Sequence, residues 1–253
     1  MIRFANSSAR AVAIAAAMDA LAVPPSVAPN VCVVLGGDGT MLRAVHRHGP
    51  DLAYFGLNCG HLGFLMNELP GSPEEVAHAL VDLLTRGRYE PASFPRLRMQ
   101  ATTGTGPVEG FALNDVYVER QIGQTCHLRV TVNDVEVVSR MVCDGIIAAT
   151  ALGSTAYSFS AGGSAAHPLM RAIHLTAICP HTPRLAPLVL PAGSLVRIEV
   201  LDPAKRPARA VTDGVPFDDV HTVEIAASGD EVILCFTEGH NFVSTMIRKL
   251  LHP

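Results

Sequence analysis

The sequence predicts an α/β amino-terminal half built on a parallel sheet, followed by a mainly β second half. Three observations carry that reading. Short β-branched apolar runs alternate with helical spacing up to about residue 94. From about Pro95 the rhythm changes to short alternating segments separated by Gly, Asn and Asp turns. The apolar run Val31–Leu35 passes directly into Gly36-Gly37-Asp38-Gly39-Thr40, with helical spacing behind it. With 253 residues, 49% of them apolar, the chain can bury a proper core, and its length allows one large domain or two smaller ones.

Met1 to Phe4 reads as a short first strand, and the Ala-rich stretch to about Ala20 as a helix capped by Ser7 or Ser8, followed by a Pro-containing connector. That apolar stretch reads as this helix in preference to a targeting or spanning segment, because Asp19 interrupts it and it is too short to cross a bilayer. Val31–Leu35 is a strand covered on both faces, Gly36–Thr40 a strand-to-helix turn, and Met41–Val45 the helix behind it. "LAYFGLN" (52–58) supplies another strand. Ser72-Pro73-Glu74-Glu75 then opens a helix running to about Arg86, with a cap, an N1 proline and early acids. In the second half, "RLRMQAT", "HLRVTVND", "VEVVSRMV", "LVRIEVL" (195–201), "ARAVTDG" (208–214), "HTVEIAAS" (221–228) and "EVILCFTE" (231–238) read as separate strands in hairpins or a sandwich. "NFVSTMIRKLL" closes the chain as a helix.

The net charge of −4 and the lack of any Lys/Arg block argue against a nucleic-acid partner, and the absence of Trp argues against stacking platforms for single strands. No amphipathic basic helix marks a membrane surface. The cysteines at 32, 59, 126, 143, 179 and 235 form no CxxC pair and read as small buried apolar residues in a reducing cytoplasm. The histidines form no HExxH motif, so no metal-ligating residues are assigned.

The glycine turn carries the first chemical signal. Glycines there permit close backbone approach to a ligand, and the N–H groups opening the next helix attract phosphate. Asp38 would repel a bare phosphate, so it needs a metal, a hydroxyl or a proton to handle; the alternative is a tight turn in which Asp38 or Thr40 caps the helix. The turn is neither a P-loop nor a GxGxxG motif. Three further stretches are unusual. "CDGIIAATALGSTAYSFSAGG" (143–163) places Asp144 after a strand, then a buried strand, then Gly153–Tyr157, where a helix start offers N–H groups and hydroxyls to a ribose or phosphate; otherwise Ser154 or Thr155 is a cap and Tyr157 is core. Asn114 and Asp115 in "FALNDVYVER" are turn formers or hydrogen-bonding groups for a base or sugar. Asp213-Gly214 has the same two readings, the hairpin turn being the stronger.

In this order, "GGDGTMLRA", "GLNCGHLGFLMNE", "ALNDV", "CDGIIAATALGSTAYSFSAGG", "ICPHTPRLAPLVLP", "VTDG" and "TEGHNFVSTMIRKLL" resemble the NAD kinase family, ATP-dependent enzymes that phosphorylate the adenosine ribose of NAD, over nearly the whole chain. The resemblance implies a Rossmann-like α/β nucleotide-binding domain at 1–94, completed by 237–253 as the terminal helix returns, and a mainly β domain, a β-sandwich, at 95–236 that carries NAD-site loops. It implies ATP with Mg²⁺ or another divalent metal, cytoplasmic location, and a homodimer or homotetramer whose NAD site borrows residues from a neighbouring subunit. It gives Asp38 the role of general base on the ribose 2′-hydroxyl. Gly36, Gly37 and Thr40 fall to the ATP phosphates, and Gly39, Phe64, Leu65, Asn114, Asp115, Thr155, Ala156, Ser160 and Asp213 to NAD. Asp144 and Tyr157 match NAD-site positions that often come from a partner subunit.

The chain departs from the family pattern at Ala151, where Pro is usual, at Leu152, at Asp115, where Glu is common, and at Ala186, with Arg184 two residues earlier. The substrate-loop departures keep open a kinase of the same fold acting on another nucleoside or alcohol. A non-catalytic nucleotide binder is the remaining alternative, and it leaves Asp38 without a task.

Overall fold

The computed structural model describes residues 2–21, 27–60 and 63–251; the connector expected after Ala20 lies largely outside these residues. In chain order the elements are β1 (Ile2–Ala5), α1 (Ala9–Ala20), β2 (Val31–Gly36), α2 (Asp38–His48), β3 (Ala53–Asn58), α3 (Pro73–Arg86), β4 (Tyr89–Thr103), β5 (Gly106–Ala112), β6 (Asp115–Arg120), β7 (Cys126–Val132), β8 (Val135–Cys143), β9 (Gly145–Thr150), a 3-10 turn (Gly153–Thr155), α4 (Tyr157–Ser160), β10 (Ala172–Ile178), β11 (Leu188–Pro191), β12 (Val196–Leu201), β13 (Ala208–Thr212), β14 (Val215–Phe217), β15 (Val220–Thr237) and α5 (Phe242–Leu251). The chain divides after Phe94 and again after Asp230, so that the last segment joins the first unit.

In that first unit β1, β2, β3 and the end of β15 run parallel, with Val33 opposite Phe55 and Ile233 opposite Ala53. All of β2 is buried, as a strand covered on both faces requires. Helix α1 starts at Ser8, whose hydroxyl accepts from Ala11 N, and turns Ala11, Ile14 and Met18 inward at helical spacing. Helix α3 has a reciprocal capping box, Glu75 N donating to Ser72 Oγ at 3.2 Å and Ser72 N to Glu75 Oε2 at 2.8 Å, and ends at Gly87 in the left-handed region. These helices and strands share one core through Ile14, Val33, Leu35, Phe55, Leu80 and Cys235. Buried Asn67 ties β3 to β15: its Nδ2 donates to Gly56 O and Cys235 O, and its Oδ1 accepts from Thr237 N. Phe94, Phe236 and Phe242 pack edge to face and seat the start of α5.

The second unit is a sandwich. One face is an antiparallel sheet in the order β11-β10-β9-β6-β13-β14. The other includes β12 between β15 and β7, followed by β8. Val196, Ile198 and Val200 of β12 turn inward while Arg197 and Glu199 turn out, the period-two alternation of a half-covered strand. Val116, Ile146, Leu128, Ile198 and Val223 meet in one core drawn from both sheets.

Two sequence expectations are corrected. The segments 221–228 and 231–238 belong to one long strand, β15, because Gly229 takes φ +89° and bends the strand without ending it. Helix α2 begins at Asp38, so Asp38, Gly39 and Thr40 form its first turn and Gly37 precedes it as cap. As for the cysteines, all are free and only Cys179 is exposed.

Candidate active site

In the first unit the site is built around Asp38. Strand β2 delivers Gly36 buried against the Thr40 side chain, and the backbone turns at Gly37 into α2. Of the N–H groups that open α2, that of Thr40 donates to Gly37 O at 2.8 Å and that of Gly37 reaches Thr40 Oγ1 at 3.5 Å, so the Asp38 and Gly39 N–H groups are the ones left to a ligand among the described residues. The Asp38 carboxylate is oriented by two backbone donors: Oδ2 accepts from Phe64 N at 2.8 Å and Oδ1 from Leu65 N at 3.0 Å. Lys249 Nζ of α5 lies 3.1 Å from Oδ2 and 4.2 Å from the centre of the Phe64 ring. Gly63 makes this approach possible, since a Cβ there would fall 2.1 Å from Asp38 Oδ1. Asp38, Phe64 and Leu65 are therefore brought together, while Gly39 is exposed one residue along the helix.

The second unit has a candidate site of its own where β5, β6, β9 and the β13–β14 hairpin end. Asp213 and Gly214 form the two-residue turn of that hairpin, both at positive φ, as the type I′ geometry requires. The Asp213 side chain nonetheless does more than turn the chain: Oδ2 accepts from Leu113 N at 2.6 Å, and Oδ1 from Asn114 N and Asp115 N at 2.9 and 3.1 Å. Thr150 N donates to Asn114 O, and the Thr150 hydroxyl to Leu113 O, so the end of β9 is stitched to the same bend. Gly153 packs so closely that a Cβ would lie 2.1 Å from Asn114 O. The backbone around Asn114 is thus pinned on two sides, while its side-chain Oδ1 is buried with no partner among the described residues. An orphaned amide oxygen beside a fixed bend is an acceptor for which the described residues supply no donor.

Asp115 is 6% exposed, and burial, reinforced by the Asp213 charge, pushes its carboxyl up from 3.8 to about 7. The folded chain therefore holds this proton to higher pH than the unfolded chain. Stability from the group is fully present below pH 3.8, falls as the unfolded state ionises, and is lost once pH passes about 7. Asp115→Asn should match wild type near pH 4 in urea unfolding and exceed it by on the order of 4 kcal/mol at pH 8. Equal stabilities at pH 8 would rule out the raised carboxyl.

The 143–163 stretch is arranged differently from the capping expectation. The Ser154 hydroxyl donates to Ala151 O and accepts from Ala166 N, and the Thr155 hydroxyl donates to Leu152 O, so neither caps α4; Ala156 precedes that helix without a side-chain bond. Tyr157 is part-exposed rather than core, its ring edge-on to Tyr117 at 5.1 Å. Ser160 is exposed, and Asp144 is paired with Arg120 Nε at 2.7 Å. Sequence reasoning missed Lys249 and the triple acceptance by Asp213. A lysine in a closing helix reads as a solvated charge, and its partner lies 211 residues away.

A carboxylate among glycines at a strand-to-helix turn, held by two backbone N–H groups, is the arrangement of a phosphate-handling enzyme. The comparisons give that class its family. Residues 27–89 match the ATP-NAD kinase N-terminal domain and residues 113–234 the ATP-NAD kinase C-terminal domain. The NAD kinase of Xanthomonas oryzae pv. oryzae is 37% identical over 84% of this chain and 81% of its own length, and that of Rickettsia bellii 33% identical over 87% and 85%. Yeast NADH kinase, solved in complex with NADH, superposes with a TM-score of 0.76 at 27% identity over 88% of this chain, which spans 65% of that protein's length, under two thirds. An Archaeoglobus fulgidus NAD kinase, solved with ATP, shares the fold with a TM-score of 0.76 at 24% identity over 97% of both chains. The chain belongs to the ATP-NAD kinase family.

Proposed function

We propose that the chain carries out its family's reaction with Asp38 as the base. It is an ATP-dependent NAD kinase, transferring the γ-phosphate of ATP to the 2′-hydroxyl of the adenosine ribose of NAD. The observation that carries the assignment is the Asp38 carboxylate, oriented by the N–H groups of Phe64 and Leu65 inside the glycine turn. A carboxylate offers about four acceptor sites, and one remains for the proton of the attacking hydroxyl after Phe64, Leu65 and Lys249 have taken theirs. Gly36, Gly37, Thr40 and the opening N–H groups of α2 receive the triphosphate, whose charge is further offset by the Mg²⁺ that arrives with it as substrate.

The residues assigned to NAD are Gly39, Phe64, Leu65, Asn114, Asp115, Thr155, Ala156, Ser160 and Asp213, with the orphaned Asn114 Oδ1 available to a donor of the nucleotide. Asp144 and Tyr157 serve the NAD site of a neighbouring copy in a homodimer or homotetramer; the part-exposed Tyr157 ring and nearby exposed Phe159 are in keeping with such a role. The free cysteines fit a cytoplasmic protein, and no helix among the described residues is long and apolar enough to cross a membrane.

NADP formation from NAD and MgATP, read by an NADP-specific dehydrogenase beside a panel of nucleosides and alcohols, tests the reading. A clear preference for NAD is the expected result. Faster turnover of another acceptor would reassign the substrate and point to Ala151 and Leu152 as the residues that changed it.

A further inference from the structure

We infer that Lys249 is a positioning residue for Asp38, and that by occupying one oxygen of the carboxylate it assigns the proton-accepting role to the other. The inference rests on Asp38 being the base. The two carboxylate oxygens are not equivalent in this structure. Oδ2 accepts from both Phe64 N (2.8 Å) and Lys249 Nζ (3.1 Å), which fills its two lone-pair sites, whereas among the described residues Oδ1 accepts from Leu65 N alone (3.0 Å). The vacant acceptor site therefore lies on Oδ1. In the transfer, the ribose O–H bond breaks and its proton goes to Oδ1. The same ribose oxygen bonds the γ-phosphorus, and the bond from that phosphorus to the β-bridging oxygen breaks to release ADP.

A free lysine side chain loses rotamer entropy when held in one place and would not stay over one carboxylate oxygen by charge alone. Here Phe64 fixes it from a second direction. The ring of Phe64 lies under the ammonium at 4.2 Å while the N–H of the same residue donates to the same Oδ2, so ring, cation and carboxylate form a closed triangle. The Lys249 side chain is only 20% exposed, which limits competition from water. Its place near the carboxyl end of α5 also suits the helix dipole, and that is the purely structural role the test must separate.

The test compares wild type, Lys249→Met, Lys249→Arg, Asp38→Asn and the double variant Asp38→Asn/Lys249→Met in the NADP-forming assay, with thermal melts alongside. Lys249→Met should lose about 10²-fold in kcat, the scale of a misplaced catalytic group. The KM values for NAD and ATP should stay within about twofold of wild type, and Lys249→Arg should recover most of the rate. The double variant should be no slower than Asp38→Asn, because a residue acting through Asp38 has nothing left to position. An unchanged or higher kcat in Lys249→Met overturns the inference. So does a loss that follows the melting temperature with Arg no better than Met, or a double variant slower than Asp38→Asn by the full single-variant factor. An inactive wild type overturns the reading of Asp38 as the base and this inference with it; an active wild type with an unaffected Lys249→Met overturns this inference alone.

Discussion

NADP formation by Asp38→Asn should fall by about 10²- to 10⁴-fold, the range spanned by general acid–base groups, with NAD binding retained. The amide cannot take a proton from the ribose hydroxyl, so the loss belongs to the transition state and appears in kcat. The substitution also has a structural cost that the sequence did not reveal. Both Asp38 oxygens accept from backbone N–H groups, and an amide presents one acceptor and one donor in their place. Either Phe64 N or Leu65 N then faces an NH₂ group, at about 1–3 kcal/mol for the lost acceptor. Asp38→Asn should therefore melt lower while remaining folded, and circular dichroism together with NAD titration separates this from the chemical loss. Near-normal turnover would remove Asp38 from the catalytic role.

The local part of this architecture was legible in the residues. Ser72-Pro73-Glu74-Glu75 announced α3 because a capping box, an N1 proline and early acids act within one turn of chain. Val31–Leu35 announced a buried parallel strand because both of its faces are apolar. The glycine-acid turn was legible as a candidate site for the same reason, its components being adjacent. The exact start of α2 was not, since Gly37 and Gly39 read as turn formers and nothing local shows that helical geometry is already adopted between them. Ser228-Gly229-Asp230 likewise carries every mark of a hairpin turn. Only the pairing of Val223 with Ile198 on one side and of Leu234 with Tyr54 on the other shows that the strand continues through it. What the sequence concealed most fully is which acid serves which backbone. Asp38 meets Lys249, and Asp213 meets Leu113–Asp115, across separations of 211 and about 100 residues, and no periodicity encodes such a meeting.

Asp213→Ala follows from that concealed arrangement and should be the most damaging single substitution to the second unit. Three backbone donors, Leu113 N, Asn114 N and Asp115 N, lose their acceptor together. At about 1–3 kcal/mol for each buried group left unsatisfied, and with less than full additivity, the loss should reach about 3–5 kcal/mol. Alanine at φ +46° adds to this, because a left-handed backbone is costlier for it than for aspartate. One term opposes the loss. Removing Asp213 relieves the repulsion that, with burial, holds the Asp115 carboxyl up near 7. That relief exists only where Asp115 is charged, hence above about pH 7, so the destabilisation should be larger at pH 5 than at pH 8. Asp213→Asn tolerates the same backbone, removes the same charge and keeps one acceptor oxygen, so it should lie between wild type and Asp213→Ala at pH 5. Since the Asn114 bend is what Asp213 pins, NAD affinity should fall in the same order. Urea unfolding at the two pH values, with NAD titration of the folded variants, checks each step. A loss below about 1 kcal/mol at pH 5, inside the net worth of a single ordinary hydrogen bond, would mean that the three N–H groups find other partners and that the bend does not depend on Asp213.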